Sequence, residues 1–169
     1  MWEAQAALRE VELGELGRAR AGAHAALELF RGRDVNCIAA YVLARCGEAD
    51  ESRRTSDELD RDYAQNTIVQ RYWLPCIRAA HALDAKDWKA SLDALEPARA
   101  VELSLSKPFE YGFMIPCYLR GLALAGAGRR DEAAIEFRRI VERSGLIKNF
   151  VLFPLARAWI AKVQALAAN

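Results

Sequence analysis

The 169-residue chain is 53% hydrophobic and 28% charged, with 24 Lys and Arg against 23 Asp and Glu, a net charge of +1. That composition excludes a disordered or fibrous chain, and without a basic excess no nucleic-acid partner is expected. The charge-free runs, such as 35–44 and 111–119, fall far short of the roughly 20 apolar residues that span a bilayer, so no membrane insertion is expected.

The opening MWEAQAALREVE carries acids from its third residue and no basic stretch, unlike a signal peptide. The expected location is cytoplasmic, or extracytoplasmic if the chain is a fragment of a membrane-anchored parent. Cys37, Cys46, Cys76 and Cys117 lie far apart, form no Cys-x-x-Cys pair, and have only two His to complete a set. They read as small packing residues, with no metal and no cofactor expected.

In chain order, Trp2, Leu8 and Val11 recur at helical spacing until Gly14, a residue suited to a left-handed cap. A second helix runs through Leu29 or Phe30, with Ala19, Ala23 and Ala26 on one face. Asp34 is placed to cap a third helix over 35–45, closed by Gly47. The fourth, over 48–62, carries a charged face that reads as solvated. An apolar-periodic stretch over 68–83 contains Pro75, which predicts a kink or a break near Trp73 and Leu74. A further helix over 88–100 is shortened by Pro97. The interruption over 101–116 holds Phe109, Tyr111, Phe113 and Met114, too much apolar surface to leave wet, and is expected to pack back on the helices. Residues 117–142 then read as a hairpin folded at 126–128. Gly121 and Ala133 sit where its helices come closest, with Phe137 one turn on. A last amphipathic helix spans 149–168.

The turns at Gly14, Gly47, Lys86 and Gly128 occupy one structural position and recur every thirty-odd to forty-odd residues. Such a period marks an array of helical hairpins, because a lone hairpin cannot bury its apolar face. At this point the chain resembles the tetratricopeptide repeat family. The resemblance rests on Gly121, Leu124, Gly128, Ala133, Phe137 and Ile140 in the fourth unit. It rests on Gly14, Leu16, Ala19, Ala23 and Ala26 in the first, and on Trp88, Ser91, Leu95 and Ala98 in the third. The second unit fits at Ala40, Leu43 and Gly47, with Ser52 and Ser56 where the motif has Ala and an aromatic. Armadillo-like and other α-solenoids share the period. The expectation is an all-α chain: an α-solenoid of stacked antiparallel helix hairpins, a tetratricopeptide-like superhelix of about nine helices. Its units are 2–30, 34–64, 67–102, 112–144 and a lone terminal helix, 149–168. The runs TIVQRYWLPCIRAA and PCYLRGLALAGAGRRDEAAIEF are similar to the C-terminal repeat regions of bacterial multidomain proteins with a serine/threonine kinase or winged-helix domain. This implies a scaffolding or sensory portion of a larger signalling protein.

By that resemblance the first helix of each hairpin lines a groove. Cys37, Tyr41, Cys76, Ala80, Tyr118, Leu122, Phe153 and Arg157 would face a peptide or partner helix. Apolar residues stand where the family's carboxylate-clamping members have Lys and Asn, so an apolar or amphipathic segment is the expected ligand. The alternative is that these side chains pack between helices. Arg78 and Arg120 share a register and could pinch an anion together, or pair with internal acids such as Glu102, Glu110 or Asp84. His24 and His81 have no nucleophile in a triad-like context, so no enzyme activity is expected. Phe150, Phe153, Trp159 and Ile160 would let the last helix dock on more of the parent chain or on a second copy. Two functional readings follow: a protein or peptide interaction scaffold, or a structural spacer and homo-oligomerisation module with no ligand of its own.

Overall fold

A computed structural model describes residues 1–103, 114–147 and 150–167. Among them every regular element is helical: α1 (Trp2–Glu12), α2 (Leu16–Leu29), α3 (Arg33–Arg45), α4 (Ala49–Asp62), α5 (Leu74–Asp84), α6 (Trp88–Ala94), α7 (Ile115–Gly126), α8 (Arg130–Glu142), the four-residue α9 (Ser144–Ile147) and α10 (Leu152–Ala167). The chain is all-α, and none of these helices is long and apolar enough to cross a membrane. The expected packing of Phe109, Tyr111 and Phe113 falls on 104–113, outside the described residues. Met114, at its edge, is fully buried.

Four turns share one geometry. At Gly14, Gly47 and Gly128 φ is +83°, +78° and +75°, and at Lys86 it is +57°. After each, one amide reaches back to the preceding helix: Glu15 N to Glu10 O, Glu48 N to Leu43 O, Asp87 N to Ala82 O and Arg129 N to Leu124 O, all at 2.8–2.9 Å. This is the left-handed cap that satisfies the last carbonyls of a helix, and glycine takes it without steric cost. Lys86 takes it as well, its own amide 3.0 Å from Leu83 O and the Asp87 amide on Ala82 O.

The crossings repeat too. Ala7, Ala40, Ala79 and Gly121 stand at one position of α1, α3, α5 and α7, and all are buried. Ala19, Ser52, Ser91 and Ala133 stand at one position of α2, α4, α6 and α8 and are fully buried. Small residues on both sides let the backbones approach. At the second crossing the Ser52 hydroxyl donates to the Ala40 carbonyl at 2.7 Å. The leading helices of the pairs touch in series, α1 on α3, α3 on α5, α5 on α7, and α10 closes on α7 and α8. One apolar core runs from Ala4 to Val163.

Local details depart from the sequence reading. Helix α3 starts two residues earlier, with Gly32 as its cap, and Asp34 accepts from Arg33 Nε at 2.7 Å instead of capping. Ahead of Pro75 the chain makes a π-helical turn, Val69–Trp73, in which the Leu74 amide bonds to Val69 O. A wider turn relieves the clash of the proline ring with the carbonyl four residues back. It also sends Tyr72 and Trp73 into the core together. Helix α6 stops at Ala94, and Pro97 lies in a 3-10 turn, Glu96–Ala98.

Candidate functional site

The leading helices do not present an open inner face. Tyr41, Trp73 and Tyr118 fill it. The rings of Tyr41 and Trp73 meet edge-on at 6.4 Å, and Tyr118 meets Phe137 at 5.9 Å. Aromatic side chains of this size close the space between neighbouring helices. Cys37, Tyr41, Cys76, Ala80 and Tyr118, expected to face a partner, are therefore buried. Leu122 and Phe153 are half-buried, and Arg157 is exposed, its guanidinium 6.0 Å from the Phe153 ring centre.

What stays open is the C-terminal end of the leading helices. A cavity of about 420 Å³ is bordered there by Arg45 of α3, Ala80, Leu83 and Asp84 of α5, and Leu122, Ala125 and Gly126 of α7. Its walls are two indoles, Trp88 from α6 and Trp159 from α10. Val163, Arg130 and Lys162 complete it. Gly126 is what admits Trp88: a Cβ added there would meet the indole at 2.9 Å. Of the residues assigned to a groove from sequence, only Ala80 and Leu122 reach this cavity. Glu12, Arg45 and Asp84, each two residues before its turn, form a charged row that the reading missed. The recurrence of charge at that register was the available signal.

Arg45 is anchored from within. Its Nη1 donates to both Glu12 oxygens and to the Tyr41 hydroxyl, each at 3.1 Å, while the Tyr41 hydroxyl donates to Glu12 at 2.5 Å. Burial opposes the charge on Arg45, but Glu12 beside it, with Tyr41, more than offsets this and its pKa is raised. The same surroundings push Tyr118 up to about 12, through burial first and then Glu12, against a hydrogen bond from the Trp159 indole that lowers it. The fixed arginine thus links α1 to the cavity.

Arg78 and Arg120 do not act together. Arg120 is completely buried and bonded to Glu102, with its Nη2 3.3 Å from Glu136 Oε2 and 3.3 Å from Cys117 Sγ. Arg139 closes the cluster on Glu102 and, at 3.0 Å, on Glu136. Arg78 is exposed and pairs loosely with Asp60 at 3.7 Å. Buried charge of this kind persists only when paired, and the pairing leaves Arg120 no surface for a ligand.

Two further sets of reactive groups are spoken for. His81 Nε2 lies 3.0 Å from Ser52 Oγ, a Ser–His contact across elements that the sequence reading did not see. Ser52 is fully buried and its proton is engaged by Ala40 O, so neither a substrate nor a base reaches it productively. All four cysteines are buried. Burial raises Cys37 and Cys46, raises Cys76 well above the thiol range and pushes Cys117 up to about 12, which keeps them as poorly nucleophilic thiols. Among the described residues, His, Cys, Asp and Glu form no group of three or more that could hold a metal ion.

Large apolar residues are bare at the opposite end from α10. Trp2 at the start of α1, and Leu29 and Phe30 at the end of α2, are each more than half exposed. Phe150 is buried, and Phe153, Trp159 and Ile160 are half-buried.

No protein-family model matches the chain, and no curated protein or solved structure matches it.

Proposed function

We propose that this chain is a non-enzymatic interaction scaffold. It is a row of stacked helical hairpins of tetratricopeptide-like build that takes a peptide segment or helix end of a partner protein. Four turns and four small-residue crossings in one register support the repeat reading. The binding reading is carried by the cavity, where the last turns of α3, α5 and α7 converge with two indoles into an amphipathic recess. Its volume lies within the roughly 300–1,000 Å³ of ligand sites. The ligand enters at the ends of the leading helices, since their middles are filled by the chain's own aromatics. Selection of a phage-displayed random peptide library against the chain and against Ala125→Trp, which plugs the cavity, tests this. Sequences that bind the first and not the second are expected. A selection that enriches nothing, or the same sequences on both, overturns the reading.

A second reading, a spacer or self-association module, draws on exposed Trp2, Leu29 and Phe30. A sedimentation coefficient that rises with concentration, and stops rising in Leu29→Glu/Phe30→Glu, supports it. Concentration-independent sedimentation removes it.

A further inference from the structure

Charged side chains of both signs border the cavity, and some are already engaged. Arg45 forms a neutral pair with Glu12 at 3.1 Å, and Arg130 has interactions of its own. Asp84 and Lys162 differ. Among the described residues neither joins an ion pair. Asp84 is exposed at the end of α5, and the exposed Lys162 of α10 holds its ammonium 4.4 Å from the centre of the Trp159 ring. That ring is itself fixed, stacked on Phe137 at 5.7 Å. The helices set the order of the two charges. Helix α5 packs on α7, and α7 on α10. Leu122 and Ala125 of α7 therefore border the cavity between a carboxylate on one side and an ammonium on the other.

We propose that the cavity takes a partner-protein segment of mixed charge, with a bulky apolar side chain between a basic residue on one flank and an acidic residue on the other. The apolar side chain lies against Leu122, Val163 and Trp88. The basic flank faces Asp84 and the acidic flank faces Lys162. This rests on the interaction-scaffold reading above and specifies its ligand. Apolar burial supplies the affinity. The two ion pairs are exposed and each adds little, so their part is to select a sequence and to fix the direction in which it lies. A segment acidic on both flanks gains at Lys162 what it loses at Asp84, and a segment basic on both flanks does the reverse. Only opposite flanks gain at both ends. An ammonium steadied on an aromatic face also meets its carboxylate with less ordering left to do.

The test uses the full chain and four short, end-capped peptides that carry an uncharged fluorophore. All share a Leu-Phe core. One has Lys on one flank and Glu on the other, and the rest have Glu, Lys or Gln on both. In fluorescence anisotropy at low salt the Lys/Glu peptide binds tightest, and the others bind about threefold more weakly or worse. Added salt narrows the gap, because the difference is Coulombic. Asp84 and Lys162 are exposed, so reversing either keeps the fold, checked by an unchanged melting temperature. Asp84→Lys shifts the preference to the Glu peptide, and Lys162→Glu shifts it to the Lys peptide. Asp84→Lys/Lys162→Glu returns it to the Lys/Glu peptide, which then lies the other way round. A Lys/Glu peptide that does not rank first, or a ranking indifferent to the single reversals, overturns the proposal and leaves the peptide-binding reading standing. Failure of all four to bind overturns it as well. The library selection described above then decides on its own whether the cavity accepts peptides.

Discussion

The ring of Phe137 occupies the space in which a side chain at Gly121 would begin. A Cβ built there meets Phe137 Cε1 at 2.5 Å and Cζ at 2.6 Å. Phe137 is completely buried, stacked on Trp159 with centroids 5.7 Å apart and edge-on to Tyr118. The ring has nowhere to go. Gly121→Ala recovers about 1 kcal/mol of helix propensity but overpacks this contact by about 1–3 kcal/mol. A net loss of about 1 kcal/mol is expected in urea denaturation. A midpoint equal to or above that of the parent would contradict a ring locked in place.

Lys86 stands where the other three turns have glycine, and it pays the left-handed penalty at φ +57°. That penalty is about 1–2 kcal/mol, partly offset by the greater freedom of glycine in the unfolded chain. Lys86→Gly is therefore expected to gain roughly 0.5–1 kcal/mol and raise the melting temperature. The same change at exposed Lys89, inside α6, serves as a control and destabilises by about 1 kcal/mol. A Lys86→Gly variant less stable than the parent contradicts the turn assignment.

The two arginines separate cleanly. Arg120→Met takes from Glu102 and Glu136 their buried partner, leaving Arg139 to both, and is expected to cost about 3–5 kcal/mol. Adding Glu102→Met to it should restore part of the loss, the signature of coupled sites. Arg78→Met removes an exposed pair at 3.7 Å and should change stability by no more than about 0.5 kcal/mol. Denaturation midpoints of the three variants decide the matter. Similar losses at both arginines would refute the assignment of only one to the buried cluster.

His81 has a depressed pKa, through burial first and then Arg53, with Asp84 pulling weakly the other way. The unfolded ring titrates near about 6.5. Above that value both states hold a neutral ring and its contribution is fully present. As pH falls below it, the unfolded chain takes up the proton more readily, and this stability is lost towards the lower folded value. Stability measured between about pH 7 and pH 5 should therefore fall less steeply in His81→Gln than in the parent. Parallel pH profiles would show that the ring is charged as easily inside as outside.

Much of this architecture was written in short-range chemistry. Three glycines and Lys86 mark their turns because only a left-handed residue closes such a cap, and Pro75 announces a disturbance because it has no amide to give. The absence of a side chain at Gly121 signals a close neighbour, and that neighbour is the Phe137 ring. The inner face was harder to read. Its openness depends on whether Tyr41, Trp73 and Tyr118 turn inward, and for Trp73, which meets Tyr41 edge-on, that goes with the π-helical turn. A lone residue register cannot encode that turn. Arg120 was legible only as a choice between a ligand and acids such as Glu102. Which of them it meets depends on how the chain returns from the 3-10 turn after α6.

Because the leading helices meet in series and α10 packs on α7, α8 and α9, the first hairpin leans on the rest through α3 and through the polar contacts of Arg20, His24 and Arg31 with Glu48, Glu51 and Glu58. Loss of native structure under heat or tension should begin by peeling α1 and α2 away, before α5 and α7 feel any change. Glu12 leaves with α1, and Arg45 then loses its anchor. Fraying at one end of the molecule is thereby transmitted to the recess that Arg45 borders.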